Sequence, residues 1–119
     1  MRKLILIIVG LLSLMTTSCV QKTYKRTVNF IIDVSKVENI KNVGIRGEKP
    51  LDWNYDTKMT VVKKDSLYKA TVIFETGYKF VEIKFTVNSD FELKEKDNRK
   101  VYFSENDTTF YDSKFNVVK

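Results

Sequence analysis

From Thr27 onward, apolar and polar side chains alternate one by one, and this period of two constrains the fold more than any other feature. The clearest run is 81–87, in which Val, Ile, Phe and Val alternate with Glu, Lys and Thr. Successive side chains of a strand point to opposite faces, so the run is typical of a half-buried β-strand. Shorter runs recur between turn-forming residues. The sequence predicts an all-β fold, a single antiparallel β-sandwich of seven or eight strands, immunoglobulin-like.

One segment after Thr27 interrupts this alternation. Around residues 35–41, Val34, Val37 and Ile40 recur at every third position, which predicts a loop or one helical turn. No internal repeat, linker or low-complexity stretch divides the mature chain, so residues 27–119 are predicted to form one domain.

Composition excludes most familiar catalytic sites. The chain has no His and a single Cys, which removes Ser-His-Asp and Cys-His arrangements, an internal disulfide and cysteine-rich metal sites. Glu82 and Glu92 form the one carboxylate pair that suggests a glycosidase, but they lie among alternating acids and lysines, which favours surface charge. We expect a non-catalytic protein without metal or cofactor.

The N-terminus carries the signature of an exported protein. Two basic residues precede an apolar run from Leu4 to Met15, which is shorter than the roughly 20 residues that span a bilayer. Small polar residues and then Cys19 come after this run. The pattern resembles a bacterial lipoprotein signal peptide, although Thr16 stands where the family usually has Leu or another aliphatic residue. The resemblance implies a signal peptide over 1–18, lipidation of Cys19 and a short tether over 19–26.

Ordinary cleavage after Ser18 is the alternative, and it would leave Cys19 as a free thiol. Position 20 is Val, so the pattern lacks the Asp that resembles an inner-membrane retention signal. The segment 20–26 is basic overall and so also lacks the acidic run that resembles a surface-export signal. This favours an outer-membrane anchor facing the periplasm. The net charge of +6 is scattered in short runs, which argues against nucleic acid as a partner.

A binding sandwich needs exposed aromatic rings and polar groups near them, and Trp53 is the only Trp of the chain. The order of several short motifs resembles the starch-binding domain of family 20 carbohydrate-binding modules and its family 48 relatives. This resemblance extends over residues 27–119. The matching positions are Gly47, Leu51-Asp-Trp53, Tyr68, Gly77, Ile83-Lys84-Phe85, Phe91-Glu92 and Asn98-Arg99.

The resemblance implies a shallow glycan site. Trp53 matches one ring of the family's aromatic platform, and Phe91 stands where the family has a second Trp. Lys84 and Asn98 match residues that hydrogen-bond sugar hydroxyls. Asp52 replaces a Gly of the family's loop, so we expect the loop to carry Trp53 at a different angle. The expected partner is starch or a related α-glucan.

Each of these residues also has a structural interpretation. Trp53 would cover one end of the core, Phe91 would pack, and Lys84 would only solvate a strand face. Asn98 and Arg99 would form a hairpin turn, with Arg99 pairing with Glu92. If these interpretations hold, the chain is a structural or protein-interaction lipoprotein of the cell envelope with a degenerate starch-binding-like fold.

Overall fold

The computed structural model describes residues 22–118, and within them the protein is all-β, with no helix. Nine strands follow one another in the order β1 Tyr24–Asp33, β2 Val43–Gly47, β3 Thr57–Lys58, β4 Thr60–Lys63, β5 Leu67–Thr76, β6 Phe80–Val87, β7 Asp90–Phe91, β8 Arg99–Tyr102 and β9 Thr108–Lys114. None of these described residues forms a helix that is long and apolar enough to cross a bilayer.

The strands form two sheets. One has four strands in the order β4-β5-β1-β9, and the other has five, with β3-β2-β6-β7 in order and β8 also paired with β6. Neighbouring strands in the described range run antiparallel except β1 and β9, which are parallel. The predicted antiparallel pairing is confirmed for the other neighbouring strands, and this pair is the exception. Strand β9 returns to β1 after the chain has built the second sheet, and such a long crossover permits parallel pairing.

A single apolar core receives side chains from both sheets. Along β1, Val28, Phe30 and Ile32 are fully buried, whereas the residues between them are partly exposed. The ring of Phe30 meets the ring of Phe85 on β6 edge to face, with 6.0 Å between centroids. The alternating residues of β1 and β6 therefore join the two sheets.

The alternation of apolar and polar residues predicts the long strands correctly but not the short ones. The predicted weak strand at Met59 and Val61 is two strands, β3 and β4, which belong to different sheets. Met59 lies between them, is buried and donates its N–H to the carbonyl of Val43 at 2.9 Å. Strands β3 and β7 have two residues each, so they are too short to show an alternation of apolar and polar residues. The count of nine consequently exceeds the predicted seven or eight.

Two boundaries also differ from expectation. Strand β1 begins at Tyr24, inside the segment assigned to the tether, while residues 1–18 and Cys19 lie outside the described range. The strand expected around Phe115 and Val117 is a turn after β9. The segment 35–41 is a loop, as predicted.

Candidate functional site

The outer face of the five-stranded sheet carries a cluster organised by Arg46. Arg46 lies on β2 between the buried Ile45 and Gly47, so its side chain points away from the core. Its Nε donates to the Asp56 carboxylate at 2.7 Å, and its Nη1 donates to the Trp53 carbonyl at 3.3 Å. Its guanidinium lies 4.9 Å from the centroid of the Phe91 ring. We call these residues the Arg46 cluster: Arg46, Trp53, Asp56 and Phe91.

Asp56 fixes the β2–β3 loop onto the sheet. Its Oδ1 accepts hydrogen bonds from Arg46 Nε and from Thr86 Oγ1, both at 2.7 Å, and its Oδ2 accepts one from Ser89 Oγ at 3.0 Å. A Cβ on Gly44 would approach Asp56 Cβ and Thr86 Oγ1 to 2.8 Å, so the absent side chain of Gly44 makes room for this carboxylate. The loop that carries Trp53 is consequently held by charged hydrogen bonds to a rigid strand.

These contacts make the stability of the protein sensitive to acid. Burial raises the pKa of Asp56, but the hydrogen bonds from Thr86, Arg46 and Ser89 outweigh it and leave the pKa below the ordinary 3.8. Because the folded pKa lies below the unfolded one, the stabilisation is fully present above the unfolded pKa and is lost as pH falls through the folded value.

We therefore expect Asp56→Asn to lose less stability than the parent when pH falls from about 6 to about 3. Urea unfolding at both pH values measures this difference. The exposed Asp107→Asn is the matched control and should follow the parent. An Asp56→Asn protein that loses as much stability as the parent would contradict the role of this carboxylate.

Three of the four predicted site residues lie around Arg46. Trp53 and Phe91 are both half-buried and contact the same guanidinium, and Lys84 pairs in register with Arg46. Lys84 Nζ donates to the carbonyls of Leu93 at 3.2 Å and Lys96 at 3.0 Å. Lys84 therefore positions the segment after β7 rather than only solvating the strand, and one of its three N–H groups is left for other partners.

Asn98 comes just before the Ile83–Arg99 pair of β6 and β8, so it is next to Lys84 in the register. It is half-buried just before β8 and lines an open groove of about 750 Å³, beside Lys96, Lys100 and Tyr102. Trp53, Lys84 and Phe91 do not line this groove. Asn98 does not have the positive φ of a hairpin Asn, whereas Leu93 and Glu95 do. Trp53, Lys84 and Phe91 thus lie around Arg46, while Asn98 lines the groove together with Leu93 and Lys96, whose carbonyls Lys84 binds.

Glu92 and Arg99 form a buried ion pair, which confirms the pairing considered from the sequence. Two hydrogen bonds of 2.6 and 2.7 Å join the guanidinium to the carboxylate, and Glu92 is fully buried. The assignment of Glu92 to surface charge was therefore wrong. The alternation of apolar and polar residues does not predict a buried Glu92, because Glu92 comes directly after β7 and its side chain turns inward. There its carboxylate accepts a hydrogen bond from the Phe85 N–H at 2.9 Å.

Arg99 also holds the segment that follows β9. Its Nη2 donates to the carbonyls of Lys114 at 2.9 Å and Val117 at 3.0 Å. Burial lowers the pKa of Arg99, but hydrogen bonds to Glu92 and Tyr111 outweigh burial and raise it above its ordinary value. The guanidinium stays charged, and the pair is a structural element.

Arg46 and Asp56 are the residues of this surface that sequence reasoning missed. The sequence held one signal for this site: Arg46 is a charged residue in the short strand Val43–Gly47, at a position whose side chain the alternation directs away from the core.

Among residues 22–118, no group of three or more His, Cys, Asp or Glu side chains is arranged to hold a metal ion. No family model matches the chain, and no curated protein matches it either.

Proposed function

We propose that this protein is a non-catalytic, lipid-anchored carbohydrate-binding domain that engages starch or a related α-glucan through the Arg46 cluster. The observation that carries the proposal is that one guanidinium contacts both aromatic positions, Trp53 through its carbonyl and Phe91 through its ring. Two partly exposed aromatic residues, one on β7 and one in a loop that Asp56 fixes to the sheet, suit a sugar-stacking platform.

The chemistry around the rings also suits a sugar. Arg46 covers one face of Phe91, and a stacked sugar would use the ring's exposed part. Lys84, beside Arg46 in register, has an N–H to offer to a hydroxyl group. Phe91 is smaller than the Trp of the resembling family and has no indole N–H, so we expect weak binding, with dissociation constants of micromolar to millimolar order.

The proposal includes the finer description of the fold as an immunoglobulin-like β-sandwich. Two observations support it: both sheets contribute to one core, and Phe30 and Phe85 contact each other across the sheets. Packed sheets of this kind present one face of each sheet to solvent, and the Arg46 cluster lies on such a face.

The proposed location is the periplasmic face of the outer membrane. Cys19, the only Cys, would carry the acyl chains after removal of residues 1–18. Residues 20–23 then separate the anchor from β1, which begins at Tyr24. The domain would therefore lie close to the lipid.

A second candidate function is protein binding in the cell envelope. The outer face of the four-stranded sheet exposes Phe110 on β9 and Ile73 on β5, at 74% and 54% of their full surfaces. Apolar side chains so exposed occur at protein-binding surfaces. Under this alternative the sandwich keeps its structure and the Arg46 cluster binds no glycan.

Affinity electrophoresis tests the first candidate. We expect soluble starch in a native gel to retard the detergent-solubilised protein, and Trp53→Ala and Phe91→Ala each to weaken the retardation on the order of tenfold, because each removes a stacking ring. Tyr55→Ala is the matched control, since Tyr55 lies in the same loop and is 73% exposed. Absence of retardation would overturn the α-glucan proposal. Retardation of the Trp53 variant equal to the parent would overturn the site.

A further inference from the structure

Three exposed tyrosines lie around one end of the molecule. Tyr24 begins β1 opposite Thr76, and Tyr102 ends β8 opposite Phe80. Tyr78 lies in the turn between those two partners. The three side chains, Tyr24, Tyr78 and Tyr102, are 55%, 65% and 63% exposed, and the fourth tyrosine above half exposure in the described chain, Tyr55, lies in the β2–β3 loop instead. The β5–β6 turn therefore brings together three of the protein's exposed phenol rings.

Exposed lysines accompany these rings. Lys25 comes directly after Tyr24, Lys79 comes directly after Tyr78, and Lys100 lies two residues before Tyr102 with its Nζ 5.4 Å from the Phe80 ring. Within residues 22–118, none of the three takes part in an ion pair. We call these six residues the N-terminal rim: Tyr24, Lys25, Tyr78, Lys79, Lys100 and Tyr102.

Other charges at this end leave it basic. Lys22, Arg26 and Lys49 add to the three rim lysines. The acids at the same end are Glu48, Glu75, Glu82, Glu105 and Asp107, and Glu82 lies opposite Lys100 in the register of β6 and β8. The guanidinium of Arg26 lies 5.5 Å from the Tyr24 ring centroid and 5.7 Å from that of Phe103. This end therefore carries six cations and five anions, and two of those anions belong to the loop before β9.

The position of the rim in the chain indicates its partner. Four residues, 20–23, separate Cys19 from Tyr24. An extended chain of that length reaches only about 14 Å. If Cys19 is lipidated, as the proposed function holds, the rim is the part of the described protein that lies nearest to the bilayer.

We propose that the N-terminal rim is a membrane-docking surface that binds anionic phospholipid. Tyrosine side chains are suited to the headgroup region of a membrane, because the apolar ring inserts among the headgroups while the hydroxyl stays hydrated. Lysines beside them are attracted to the negative surface potential, each with an effect of about fivefold in binding. The inference rests on the proposed lipid anchor and adds a defined orientation of the domain to it.

Docking would keep the carbohydrate surface accessible. The Arg46 cluster lies on the outer face of the five-stranded sheet, and Asp56 contacts Thr86 and Ser89 near the end of β6 that is remote from the rim. When the N-terminal rim contacts the membrane, neither Trp53 nor Phe91 is therefore directed toward the lipid.

Hydrogen exchange on vesicles tests the docking surface. The full chain, purified from the membranes of the cells that produce it, is placed on vesicles of phosphatidylcholine alone and of equal parts phosphatidylcholine and phosphatidylglycerol. We expect the amides of residues 77–80 and 102–104 to exchange on the order of tenfold more slowly on the mixed vesicles. High salt should remove this difference, because it screens the lysines.

Two charge-matched variants locate the surface. Substitution of Lys25, Lys79 and Lys100 by Gln should abolish the protection, whereas substitution of Lys36, Lys41 and Lys64, which are exposed at the opposite end, should leave it intact. Tyr78→Ala should reduce the protection at neighbouring amides. Equal exchange on both vesicles, or equal loss in both triple variants, would overturn the docking surface.

Cys19→Ala separates the anchor from the rim. If Cys19→Ala no longer associates with neutral vesicles but still associates with mixed vesicles, the result supports both the lipid anchor and the docking surface. Undiminished association of Cys19→Ala with neutral vesicles would contradict the lipid anchor, while the comparison of the two kinds of vesicle would still decide the docking surface.

Discussion

Replacing Arg99 by Met is expected to lower the free energy of unfolding by about 3–5 kcal/mol, because it leaves the fully buried Glu92 carboxylate without its counter-ion. The same change removes the donor that binds the Lys114 and Val117 carbonyls, so the segment after β9 should detach. Urea unfolding measures the stability, and hydrogen exchange measures the detachment at residues 115–118.

A double variant isolates the pair itself. Glu92→Leu combined with Arg99→Met removes both charges, so its loss of stability should be smaller than the sum of the two single losses. It should not restore the parent, because the N–H groups of Phe85 and Asn116 lose their acceptor. If Arg99→Met alone costs less than about 1 kcal/mol, the pair does not have the structural role that its burial indicates.

Replacing Phe30 by Ala is expected to cost about 3–5 kcal/mol, since it removes a fully buried ring from the core. The ring contacts Phe74 on its own sheet at 6.3 Å between centroids and Phe85 on the other sheet at 6.0 Å. It also contacts Tyr111 on β9 at 5.9 Å. The cavity would therefore open between the sheets and beside β9.

Phe110→Ala is the matched control for that variant. Phe110 lies on β9 next to Tyr111 but is 74% exposed, so its loss should change the stability by about 0.5 kcal/mol or less. Thermal or urea unfolding of both variants gives the comparison. Equal losses for Phe30→Ala and Phe110→Ala would contradict a shared core between the two sheets.

The long strands were predictable from the sequence because one face of each is buried. In β1 and β6 every second residue enters the core, and burial of alternate residues leaves a period of two in the sequence. The turn residues were informative for a similar local reason: Asp65 and Asn88 have positive φ, which these residue types tolerate. Features that depend on distant parts of the chain were not predictable, as the parallel pairing of β9 with β1 shows.

The candidate site was predictable only in its parts. Trp53 and Phe91 were identified from motif order, but their common contact is Arg46, whose position opposite Lys84 depends on the register of β2 against β6. Lys84 looked like a solvated residue because sequence alone does not show that the segment 93–96 turns its carbonyls toward it. Asn98 fits the motif order and lines the groove, next to Lys84 in the register of β6 and β8, which sequence alone does not give.

The central claim is that an α-glucan stacks on the Arg46 cluster, and an NMR titration with a linear malto-oligosaccharide tests it most directly. Trp53 is the only Trp, so one indole N–H signal reports on it alone. We expect a saturable shift of that signal together with the amide signals of Arg46, Lys84 and Phe91. An unchanged indole signal, or shifts confined to groove residues such as Asn98 and Lys100, would contradict it.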